Sequence, residues 1–94
     1  METNKENIVI SDEIRSLMYA ASLCMQQVRF SDAILLYDKV LERMPEYAGA
    51  YYERGRARHQ LGDARGAMED LKHALSIDPT VIGDVSGEYK NKSD

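Results

Sequence analysis

A chain of 94 residues and 10.7 kDa has room for one domain. Twelve Lys and Arg stand against sixteen Asp and Glu, a net charge of −4, which disfavours nucleic acid because phosphate has to be neutralised by cations. The longest apolar run, Ala33 to Tyr37, is far too short to span a bilayer, the first residues show no basic-then-apolar leader, and the lone Cys24 excludes an internal disulfide and predicts a reducing, cytoplasmic setting.

Residues 1–10 read as an irregular or disordered lead-in. A first helix is predicted over 12–27, where Ile14, Leu17, Met18, Ala21, Cys24, Met25 and Val28 recur at three-to-four spacing. Ser11 is its N-cap, and Asp12 and Glu13 suit the positive end of the helix dipole. A second helix over 30–43 carries Phe30, Ala33, Ile34, Tyr37, Val40, Leu41 and Met44, and Pro45 stops it. A third over 47–61 carries Tyr47, Tyr51, Gly55, Arg58 and Leu61. Gly62 then supplies the left-handed stop, and Asp63 caps the next helix. That fourth helix, 64–77, presents Ala64, Ala67, Met68, Leu71, Ala74, Leu75 and Ile77, and Asp78-Pro79 ends it. Val81, Ile82, Val85 and Tyr89 share a helical face, so a short fifth helix is expected near 80–89, weakened by Gly83 and Gly87. Residues 91–94 have nothing to bury and are expected to be disordered. Connections of a few residues make neighbouring helices antiparallel.

Sliding the chain by 34 residues brings Gln26 onto Gln60, Ala33 onto Ala67, Leu41 onto Leu75 and Pro45 onto Pro79. Leu17 then meets Tyr51, Ala21 meets Gly55, and Tyr37 meets Leu71. The division that follows is a first unit over 11–45, a second over 46–79, a capping segment over 80–90 and a tail. Ala50 to Gly55, Leu61-Gly62-Asp63, Ala67, Leu71, Ala74-Leu75 and Asp78-Pro79 resemble the tetratricopeptide repeat family. The first unit resembles it more loosely, with Val28 where the family usually has Gly and Arg29 where it usually has Asp. The resemblance implies an all-α fold of antiparallel helix hairpins stacked as a short superhelix, with the first helix of each unit lining a concave groove.

The residues themselves offer no chemistry of catalysis. Cys24, His59 and His73 lack zinc spacing, no Lys-Ser/Thr follows the glycines at 62 and 66, and the carboxylates fall on predicted solvent faces. The expectation is a non-enzyme with no cofactor and no metal. Met44, Met68, Tyr37 and Tyr51 read as core. By the resemblance, Met18, Tyr19, Met25, Tyr52, Arg56, His59 and Gln60 lie in or beside the groove, as a surface for a peptide or protein partner. Tyr52, Arg56 and His59 share one helix face, which suits a peptide bearing a carboxylate. Arg54, Arg56, Arg58 and Arg65 form a local basic island that sets the partner's register; they spread around the helix, which disfavours an RNA surface. The competing reading is self-association: Ile14, Met18 and Met25, at the uncovered start of the stack, make a homodimer patch.

Overall fold

The computed structural model describes residues 11–83. Four helices follow one another, α1 (Asp12–Gln26), α2 (Phe30–Arg43), α3 (Ala48–Gln60) and α4 (Ala64–Ile77), with no strand among the described residues. Each packs against the next in the chain, so the molecule is two helix hairpins, α1–α2 and α3–α4, joined by α2 against α3. The lead-in 1–10 and the tail 91–94 lie outside the described residues. Of the expected fifth helix, 79–82 form turns and Gly83 has φ +88°, while Val85 and Tyr89 lie outside the described residues.

The helix ends follow from local chemistry. The Ser11 hydroxyl accepts from Ile14 N at 3.1 Å, and the Asp63 carboxylate accepts from Gly66 N at 2.9 Å. Both satisfy donors that a helix leaves unpaired at its start. The two hairpin turns close in the same way. In the second, Asp63 N reaches Arg58 O at 2.9 Å and Gly62 N reaches His59 O at 3.0 Å; in the first, Arg29 N reaches Cys24 O at 2.8 Å and Val28 N reaches Met25 O at 3.1 Å. This double bond requires a left-handed residue at its centre. Gly62 supplies it at φ +88°, with open space where a Cβ would stand, and Val28 supplies it at φ +62°. The expectation that Val28 continues the apolar face of the first helix is therefore wrong. It sits in the turn, 69% exposed.

The main core lies between the first hairpin and α3. Ile14, Ala21, Cys24, Ala33, Tyr37, Val40, Leu41 and Ala50 are buried there, with Leu17, Met44, Tyr47 and Tyr51 packed against them. Ile14, expected in an exposed patch, is buried. The second hairpin is built differently. Its helices approach closely at Gly55, where a Cβ would stand 3.1 Å from both the Ala67 carbonyl oxygen and the Asp70 Cβ. Beyond α4 no described element covers the hairpin: Leu61 is exposed, and Met68, expected in the core, is 56% exposed.

A polar centre replaces the missing apolar one. The carboxylate of Asp70, only 3% exposed, accepts from Arg54 Nε at 2.9 Å, Arg54 Nη2 at 2.8 Å and Arg58 Nη1 at 2.9 Å. The remaining Arg54 nitrogen, Nη1, reaches Asp38 on α2 at 2.8 Å. These bonds hold the Arg54 guanidinium more firmly protonated than usual, the Asp70 hydrogen bond first among the causes, against the opposing effect of burial. The Arg54 guanidinium also lies 5.5 Å over the Tyr51 ring, and that ring stacks on His73 with centroids 4.0 Å apart. The expectation that carboxylates lie on solvent faces fails at Asp70.

Two outcomes follow from these features. A β-branched residue in the left-handed region costs about 1–2 kcal/mol. Val28→Gly should therefore raise the thermal midpoint by several degrees; an unchanged or lower midpoint would mean that the turn carries no strain at this position. Arg54→Met strips a nearly buried carboxylate of two of its three donors and should lower stability by about 3 kcal/mol in a denaturant titration. Adding Asp70→Leu should recover a large part of that loss, because the first hairpin holds Ala20 and Leu36 at the corresponding positions.

Candidate functional site

Two concavities mark the faces of the stack. One is a groove of about 630 Å³ between α1 and α3. From α1 it is lined by Met18, Ser22, Met25 and Gln26; from α3 by Glu53, Arg56 and Gln60; Phe30 and Tyr37 of α2 form its floor. The side chains at positions 18, 22 and 25 on one helix, and 53, 56 and 60 on the other, repeat at helical spacing, so each helix turns a single stripe inward. The other concavity is a shelf of about 380 Å³ at the open end of the stack, lined by Tyr52, Arg56, His59 and Gln60 of α3 and by Ala64, Met68 and Leu71 of α4.

The expected site residues divide between these surfaces. Met18 and Met25 line the groove, Tyr52 and His59 line the shelf, and Arg56 and Gln60 stand on the ridge between them and line both. Tyr19 is apart from either. It is 67% exposed on the outer side of α1, beside Asp12, Arg15 and Ser16. Ser22, Gln26, Phe30 and Glu53 were not among the expected site residues. The 34-residue register carries the signal for two of them, since Ser22 pairs with Arg56 and Gln26 with Gln60.

The groove is mixed in character. Its apolar part is the two methionine side chains, which adapt to irregular shapes, together with Phe30 and Tyr37. Its charged part is Arg56, with Nη1 3.1 Å from Glu53 Oε1 in an ion pair open to solvent. Such a pair contributes little, so the guanidinium can exchange one carboxylate for another at small cost. The basic island does not survive as a unit. Arg54 and Arg58 are turned inward onto Asp70, which leaves Arg56 and Arg65 to the surface. Among the described residues no group of three His, Cys, Asp or Glu side chains could hold a metal ion, and no helix is long and apolar enough to cross a membrane.

Tyr37 has the most displaced titration in the groove. Burial pushes its phenol up to about 12, Glu53 and Cys24 push the same way, and Arg56 opposes them. The folded state thus favours the neutral phenol. The associated stability is complete below the ordinary value near 10, and is lost as pH rises through about 12. In an ultraviolet titration of the six tyrosines, one should ionise last, near pH 12 or together with unfolding. Ionisation of all six near pH 10 in a folded chain would contradict this burial.

The tetratricopeptide repeat pattern matches residues 48–81, which contain all of α3 and α4. The chain is 30% identical over 77 residues to a TPR repeat-containing protein of Rhizobium etli, a match that covers 82% of this chain and 38% of that one. It is 38% identical over 45 residues to Tetratricopeptide repeat protein 36 of Danio rerio, covering 48% and 24%. It is 50% identical over 42 residues to the FK506-binding protein-like protein of Mus musculus, covering 45% and 12%. The chain spans well under half the length of each of these curated relatives.

Proposed function

We propose that this chain, a tetratricopeptide repeat protein, acts as a non-enzymatic interaction module that holds a segment of a protein partner in the groove between α1 and α3. Its two hairpins serve as repeats over 11–45 and 46–79. The observation that carries the reading is the composition of the groove: Met18, Met25 and Phe30 beside a solvent-open Arg56 whose ion-pair partner among the described residues is an exchangeable Glu53. Methionine, aromatic and arginine side chains are the types enriched where proteins meet. A segment with an apolar side chain for the methionines and a carboxylate for Arg56 fits that composition. Two of the four arginines of the central island are spent on Asp70, which leaves too few outward cations to track a phosphate backbone. A reducing, cytoplasmic setting agrees with the single buried free thiol of Cys24.

Panning a random peptide library on the immobilised chain tests the reading. Selected peptides should share an acidic residue next to an apolar one. A charge-assisted bond to Arg56 contributes about 1.5–3 kcal/mol. Arg56→Ala should then weaken those peptides about ten- to a hundredfold without lowering the thermal midpoint. Peptides that bind Arg56→Ala and Met25→Glu as tightly as the unaltered chain would sink the proposal.

A further inference from the structure

Arg56 and Gln60 stand on a ridge of α3 with the groove on one side and the shelf on the other. The two surfaces are therefore continuous, and a segment lying in the groove can pass over the ridge without leaving the protein. The shelf is recessed because its side chains are small. Ala64 and Leu71 hold the positions that Phe30 and Tyr37 hold 34 residues earlier, on the floor of the groove. They leave open a space of about 380 Å³, with Met68 56% exposed beside it. That space takes an aliphatic side chain, and a methionine is adaptable enough to close on one.

The charges differ across the ridge. The groove has one carboxylate in its lining, Glu53, and the shelf has none among the described residues. Glu53 holds one nitrogen of Arg56 at 3.1 Å. A guanidinium carries five donors in a planar fork, so others remain for a second carboxylate. The place for that carboxylate is the top of the ridge, where it meets Arg56 and the Gln60 amide and stays clear of Glu53. A helix such as α3 is about 10 Å across. An extended chain rises about 3.3 Å per residue, so three or four residues reach from one side of the ridge to the other.

We infer that groove and shelf take one continuous segment of a protein partner, in which an acidic residue on Arg56 is bracketed by two apolar residues three or four places apart. The first apolar side chain rests among Met18, Met25 and Phe30, the second among Ala64, Met68 and Leu71. This rests on the groove reading and extends it to a second anchor. Two fluorescent peptides test it. One carries the run leucine–aspartate–serine–serine–leucine between flexible flanks; the other has serine in place of the second leucine. In anisotropy titrations the first should bind about tenfold more tightly, the gain from covering one leucine on an open surface. Met68→Glu should abolish that gain and leave the weaker peptide unaffected, whereas Arg56→Ala should weaken both. With methyl-labelled methionine, the Met68 resonance should move only with the first peptide, and those of Met18 and Met25 with both. Equal binding of the two peptides, or a two-leucine peptide that binds Met68→Glu as tightly as the unaltered chain, overturns the inference and leaves the groove reading standing. A Met68 resonance that moves with chain concentration in the absence of peptide also overturns it, and assigns the shelf to a second copy. Failure of both peptides to bind, or binding indifferent to Arg56→Ala, overturns both readings.

Discussion

One guanidinium holds three helices. Arg54 leaves α3, grips Asp70 of α4 with two nitrogens and Asp38 of α2 with the third. The geometry needs a planar fork with several fixed donors, which arginine has and lysine lacks. The same side chain therefore closes the second hairpin and ties it to the first. Arg58 completes the neutralisation of Asp70, and the Tyr51 ring, stacked on His73, lies against the Arg54 guanidinium. The first hairpin has no such device, with Ala20 and Leu36 at the equivalent positions, because α3 covers it and an apolar interior suffices. An ionic centre appears where covering helices run out.

That centre explains which parts of the fold the sequence made legible. Helix ends were readable almost to the residue, because Ser11, Pro45, Gly62, Asp63 and Pro79 act through their own backbone neighbours. Burial was less readable. Asp70, between Glu69 and Leu71, has the local pattern of a solvated position, and only two arginines brought from another helix make it an interior one. Met68 lies on an unbroken apolar stripe, and periodicity does not tell a stripe that meets a neighbour from one at the end of a stack. Val28 continued the stripe of the first helix on spacing alone; its true place was visible in the register, opposite Gly62.

The candidate site shows the same division. Residues on the inward stripes of α1 and α3, such as Met18, Met25, Arg56 and Gln60, follow from the repeat and helical spacing together. Tyr52 and His59 share a helix face with Arg56, yet they open onto the shelf, because the helix that flanks them is α4 rather than α1. Tyr19 lay one position from Met18 and on a different side of α1 altogether. A rotation of about 100° per residue is enough to move a side chain from a binding surface to the outer one.

The left-handed Val28 has a consequence for the order in which the molecule opens. In a stack whose units touch only their neighbours, opening starts at the weaker end and travels. Conformational energy stored at Val28 is released when α1 separates from α2, whereas the second turn, with Gly62, stores none. Opening of the first hairpin is therefore favoured by its own turn, and α1 is one wall of the groove. A segment that spanned both walls would select the closed state of that hairpin, so that its affinity would include the work of fastening α1 and its release would be gated by the loosening of a single turn.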